Sequence, residues 1–187
     1  FPLDTAQDPA LYQSAAITNA FYWVNLLHDI HYQYGFTEAA GNFQVNNYGK
    51  GGTANDPVMV DVQDGDGGTD GFVAYPDGQS PRMSLYRRPS PYRDRAYDSD
   101  ILIHEFGHGI SERLTGGPAN TSALNAVQSR GMSEGWGDWW ALMVLQVASD
   151  TKLGSYPLGN YAAGLPPTGP GIRRYPYSFD MSIDPLT

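Results

Sequence analysis

The sequence contains no cysteine. Disulfide frameworks, cysteine-ligated zinc ribbons, thiol catalysis and iron–sulfur clusters are therefore excluded, and a metal would have to be held by nitrogen and oxygen. Basic residues are scarce: 11 lysines and arginines against 20 acids give a formal net charge of -9. Such a surface repels phosphate backbones and argues against nucleic acid or anionic membranes as partners. No apolar run approaches the roughly 18 residues that a membrane helix needs, the longest clean stretch being residues 139–145. Charged residues are also few, 17% of 187, while 41% are hydrophobic and 13% aromatic. That composition is opposite to one that stays disordered. A chain of this length hides somewhat over ~65% of its unfolded surface on folding, enough for a real core in one domain. The opening Phe1-Pro2-Leu3-Asp4 carries neither a charged n-region nor an apolar h-region, so it does not read as a targeting signal. One glycosylation triplet, Asn120-Thr121-Ser122, is compatible with secretion without showing it.

What is there divides near Asp98. Residues 1–98 read as an N-terminal helix plus a small β-sheet lobe, and residues 99–187 as a mainly helical portion, the two forming one catalytic unit. In residues 10–34, Ile17, Phe21, Val24, Leu27, His28, His31 and Tyr34 recur at three- and four-residue steps, which predicts a helix packed on that face and closed by Gly35. A Gly- and Asn-rich stretch follows. Short strands are expected at residues 58–62, 72–75 and 82–86, with Pro89 and Pro91 breaking the pattern. Asp98-Ser99-Asp100 supplies capping residues for a second helix from Ile101, which Gly116-Gly117-Pro118 stops. A third helix is expected over residues 133–148, followed by a proline-rich, loop-like tail.

The stretch that carries chemistry is His104-Glu105-Phe106-Gly107-His108. Residues four apart share a helix face, so two imidazoles can meet one metal ion, with Glu105 beside it. Zinc suits imidazole and carboxylate, and a catalytic zinc keeps three protein ligands and one open position. One route to the third ligand needs Gly and His three and six residues after the second His. Ser111 and Leu114 stand there, so that route fails. The other is a carboxylate on the next helix, where Glu134 opens the predicted segment and Asp138 shares its face. Asp138 is placed to hold the second ring nitrogen of His104 or His108.

These residues, with Thr115-Gly116-Gly117-Pro118-Ala119-Asn120 and Gly131-Met132-Ser133-Glu134-Gly135-Trp136, resemble the fungalysin family of metalloendopeptidases. The likeness extends upstream through Thr18-Asn19-Ala20-Phe21-Tyr22-Trp23-Val24-Asn25, Ala40-Gly41-Asn42-Phe43-Gln44 and Tyr75-Pro76-Asp77-Gly78-Gln79, and downstream to Tyr175-Pro176-Tyr177-Ser178. The resemblance implies an α+β, thermolysin-like zincin catalytic fold, in which the His-bearing helix packs on a second ligand-bearing helix beside a small mixed sheet. It also implies a secreted zymogen with an inhibitory propeptide, acting as an endopeptidase on proteins. Carried across, the zinc ligands fall on His104, His108 and Glu134, and the catalytic acid/base on Glu105. The family's mature enzyme is about twice this long, so the chain looks like its middle, with remaining parts of the catalytic domain as partners.

Substrate backbone is expected to pair with an exposed strand edge at Phe72, Val73, Ala74 and Tyr75, since β-addition explains broad sequence tolerance. Two other readings stay open: a non-catalytic extracellular binding module that keeps a metal site, and a zinc aminopeptidase. Asp61, Asp64, Asp66 and Asp70 form an acid-rich stretch that departs from the EF-hand spacing, so calcium (Ca2+) has no motif behind it and solvated turn acids are expected. Arg87, Arg88, Arg93 and Arg95 read first as a solvated basic face, with pairing to surplus carboxylates or to a removed propeptide left open; His28 and His31 read as histidines bonded to polar neighbours, and Trp139 and Trp140 as core packing.

Overall fold

A computed structural model describes residues 7–186; Phe1-Pro2-Leu3-Asp4, read above for a targeting signal, lies outside the described residues. The chain opens with a 3-10 turn, Pro9–Tyr12, whose first N–H groups are served by Asp8, the side chain accepting from Ala10 N at 2.8 Å. Helix α1, Gln13–Gln33, follows and ends where Gly35 takes a positive φ of 103°. Its buried stripe is Ala16, Ala20, Leu27 and His31. The expected stripe is thus corrected in part: Ile17, Phe21 and Tyr34 are 53%, 70% and 84% exposed. The small side chains of Ala16 and Ala20 let α1 approach the core closely, which turns the bulkier Ile17 and Phe21 outward onto a groove shared with Val58, Val60 and Val62.

Four strands form one sheet, β1 Met59–Asp66, β2 Gly71–Val73, β3 Arg82–Pro89 and β4 Tyr92–Asp94. The order is β1-β3-β2; β1 runs parallel to β3, and β2 and β4 pair antiparallel with β3. The sheet is therefore mixed, and β2 is an edge strand. Pro89 ends β3 opposite Tyr92 rather than breaking it, so β4 was missed in the sequence pattern. A proline at a strand end costs no ladder hydrogen bond.

Helix α2, Ser99–Thr115, is capped by Asp98, which accepts from Asp100 N at 3.1 Å, and stops at Gly116. It is buried on nearly every side. Helix α3, Val127–Leu145, begins six residues earlier than its sequence suggests, because Ala126 at its N-cap offers no side-chain signal. Glu134 therefore sits inside the helix and does not open it. A last short helix, α4, is Asn160–Ala163. One apolar cluster joins Leu27 of α1, Met83 and Leu85 of β3, Phe106 and Ile110 of α2, and Ala141 of α3, so the sheet lobe and the helical portion share a core. Trp140 packs against that core, whereas Trp139 stays 48% exposed. No helix among the described residues is long and apolar enough to cross a membrane.

The acidic and basic stretches meet one another. Asp61 pairs with Arg82, Asp66 with Arg87 at 2.8 Å, and Asp70 with Arg95 at 3.0 Å, while the Asp64 charge raises the pKa of the Tyr86 hydroxyl. Asp64 and Asp66 stay exposed, as expected of turn acids, although Asp66 meets Arg87 across the β1–β3 pairing; Asp70 and Arg95 are drawn in against each other. His28 lies between Asp29 and Gln44, and His31 bonds the Leu27 carbonyl, so both have the polar neighbours foreseen.

Arg113, near the end of α2, is wholly buried and fixes the loops around the sheet. It donates to Asp56 at 2.9 Å and to the carbonyls of Gly41 and Tyr75, each at 2.8 Å. Removing one partner of a buried ion pair strands the other charge, at a cost of roughly 3–5 kcal/mol. Arg113→Met should lower the unfolding free energy in urea by that amount, and pairing it with Asp56→Asn should recover part of the loss.

Candidate metal centre

Helices α2 and α3 approach so closely that a Cβ built on Gly107 would stand 3.2 Å from Gly137 Cα and 3.1 Å from the Trp140 ring. A Cβ on Gly137 would stand 2.6 Å from His104 Nδ1. The imidazole of His104 thus fills space against α3 that any side chain at 137 would take. His108, one turn along α2, lies edge to face with His104, ring centroids 4.6 Å apart.

Partners on α3 decide which nitrogens face the cleft. His104 donates through Nδ1 to Asp138 Oδ1 at 2.7 Å, and His108 Nδ1 lies 2.9 Å from Ser133 Oγ. Both Nε2 atoms are left pointing at one another, 3.0 Å apart. Glu134 closes the triangle, its Oε2 3.3 Å from His104 Nε2 and its Oε1 3.9 Å from His108 Nε2. Among the described residues, His104, His108 and Glu134 are the group able to hold a metal ion, with ligand atoms all within 4.8 Å of one another. A tetrahedral zinc with bonds of about 2.0–2.1 Å has ligand atoms about 3.3 Å apart along each edge. The three separations lie around that value, and two neutral imidazoles with one carboxylate suit zinc, so the residues fit the ion. Asp138 orients His104, not His108.

Asp138 is itself held. Arg173 donates to it through Nε at 2.6 Å and Nη2 at 2.5 Å, and the Tyr177 hydroxyl donates at 2.5 Å. Burial opposes its charge, yet these donors and His104 keep its carboxyl well below the usual carboxylate range. Burial likewise opposes a charged His104, but Asp138 and Glu134 outweigh it and lift its pKa to about 9. His108 goes the other way, lowered to about 4 by burial and by the charge on His104. Glu105 is 7% exposed and is raised to about 7, mainly by burial.

These groups line one cleft of about 470 Å³, with Asp70, Gly71 and Phe72 on the sheet side and Glu105 beside the ligand triangle. Of the four residues expected at a substrate-binding edge, only Phe72 lines it. The strand runs over Gly71–Val73, and Ala74 and Tyr75 lie beyond its end. The Tyr75 carbonyl is already engaged by Arg113, which draws the chain away from the cleft. Ser133, Arg173 and Tyr177 were not foreseen as part of the site. Ser133 and Tyr177 fall within stretches that carry the family resemblance, but nothing local marks Arg173.

The close approach at Gly137 predicts its own test. Gly137→Ala should weaken zinc binding about 10–100-fold, the usual loss when a ligating histidine is misdirected. Gly135→Ala, where an added Cβ meets nothing within 4 Å, should leave it unchanged. Competition against a zinc-sensitive dye measures both.

Comparison with known proteins adds to this geometry. The sequence model of the fungalysin metallopeptidase family, M36, matches residues 1–187. Extracellular metalloproteinase 1 of Arthroderma otae is 46% identical over 190 residues, which take in 100% of this chain and 30% of that protein. Extracellular metalloproteinase 4 of the same organism is 48% identical over 181 residues, 95% of this chain and 27% of the relative. Probable extracellular metalloproteinase 1 of Trichophyton verrucosum is 46% identical over 181 residues, 95% of this chain and 28% of the relative. The chain thus spans less than a third of the length of these relatives.

Proposed function

The chain belongs to the fungalysin family of metallopeptidases, and from that premise we propose that it is the metal-holding part of a secreted zinc endopeptidase. One observation carries the reading: His104, His108 and Glu134 converge on a point in a cleft that Glu105 also lines. His104, His108 and Glu134 are the zinc ligands, Glu105 is the catalytic acid/base and Asp138 orients His104. The α+β architecture, with its mixed sheet beside α2 and α3, takes a thermolysin-like arrangement. Residues 1–98 and 99–187 act as two lobes of one catalytic unit, in keeping with the core they share. The relatives' names place them outside the cell, and we assign this chain there as well. An inhibitory propeptide and the remaining parts of the catalytic domain would belong to the greater length of the whole protein.

The residues divide the chemistry. A bound zinc supplies a Lewis acid and brings the pKa of a water from about 15.7 toward 7. Glu105, buried and with no hydrogen-bond partner among the described residues, accepts the proton of the attacking water and returns it to the leaving amine. Substrate backbone adds to the free edge of β2, where Gly71 and Phe72 border the cleft.

A structural zinc normally fills four protein positions. Three ligands are gathered here among the described residues, which favours an enzyme over a binding module that merely keeps a metal. Glu105→Gln in the full-length protein should retain zinc and lose about 10²–10⁴-fold in kcat. The assay is an internally quenched peptide with a blocked N-terminus, which an aminopeptidase would leave intact. Hydrolysis unaffected by the substitution or by a chelator would overturn the assignment.

A further inference from the structure

The cleft extends along α2 on both sides of the ligand triangle, and its two ends differ in chemistry. One end is apolar, lined by Ile101, Leu158 and Ile172. The other carries Glu112, which the proposed reaction does not use. Glu112 is one turn beyond His108, hence on the same face of α2 and about 6 Å further along its axis. Its carboxylate is half-buried and has no hydrogen bond or ion pair among the described residues. Arg130 of α3 and Asn125 line the same end of the cleft without pairing with it.

An acid in that position is unusual. Asp61, Asp66 and Asp70 each have an arginine partner, Asp64 is exposed to water, and Asp56 and Asp138 each hold an arginine. Glu112 has lost part of its hydration without such compensation, and burial alone raises its pKa to about 7. A cation arriving from the substrate would return what burial has removed. An extended peptide advances about 3.3 Å per residue, so the offset from His108 corresponds to about two substrate residues.

We propose that Glu112 is a specificity-determining residue that favours a lysine or arginine side chain within two residues of the scissile bond, on the side away from the apolar end of the cleft. The assignment rests on the endopeptidase reading above and names a feature of its substrates. The neighbours of Glu112 support this. Arg130 is exposed and free to move aside, whereas Glu112 is fixed on a buried helix. The selecting charge is therefore the preorganised one.

The test uses the full-length protein and a diverse peptide library, with cleavage sites read by mass spectrometry. The wild type should show lysine and arginine enriched over aspartate and glutamate at one position within two residues of the cut. Two quenched peptides differing only by Lys or Gln at that position should then differ roughly five- to tenfold in kcat/KM. In Glu112→Gln the ratio should fall to about one, and in Glu112→Lys the library should turn toward acidic residues. Each enzyme is compared with itself, so a general loss of activity does not mimic the effect. A wild type that cleaves without this enrichment overturns the proposal even if no variant folds, as does an enrichment that survives in Glu112→Gln. Either result leaves the endopeptidase reading standing. A zinc-loaded wild type that cleaves no peptide overturns both.

Discussion

The near-contact of α2 and α3 at Gly107 and Gly137 is the constraint from which the site follows. A side chain at 137 would push the His104 ring off α3 and out of line with Glu134, and one at 107 would press on Trp140 and the Gly137 backbone. With glycine on both, the His104 ring lies against the α3 backbone, Asp138 takes its Nδ1 proton, and Nε2 is turned to the cleft. Packing and tautomer choice are thus one event. Each glycine in the helix seam lowers helix propensity by about 1 kcal/mol relative to alanine, a local cost that the geometry of the site explains.

Asp138 carries this constraint outward. Its carboxylate joins α2, through His104, to the proline-rich tail, through Arg173 and Tyr177. The tail reads as a loop and has little regular structure, yet it orders the site from behind. A buried carboxylate with one histidine donor would be poorly compensated; three donors allow it to stay ionised at low cost. The charge that keeps His104 in place is therefore stabilised from a segment far from it in the chain.

Charge is apportioned in the same way over the rest of the molecule. The excess of acids suggests a negative surface, but most of those around the sheet are met by arginines: Arg82 and Arg87 on β3, Arg95 just after β4, Arg113 within the core. This pairing separates the acid-rich stretch, which has the composition of a cation site, from the His–His–Glu triangle, which has the geometry of one. Glu112 stands apart from both, an acid in the cleft wall with no basic partner among the described residues.

Features that depend on neighbours in sequence were legible without a structure. The four-residue spacing of His104 and His108, the Asp98 cap and the Gly116 stop follow from helix periodicity and terminal hydrogen bonding, which act over a few residues. Glu134 and Asp138 were legible for the same reason, as one face of one helix. The resemblance in motifs supplied the family. Only the tertiary structure decided which histidine Asp138 holds, that Arg173 and Tyr177 hold Asp138, that Asp61 and Asp66 of β1 face arginines, and that Phe72 alone of its stretch borders the cleft. Each of these joins residues distant in the chain, and it is packing of the helices and sheet, not any local preference, that brings them together.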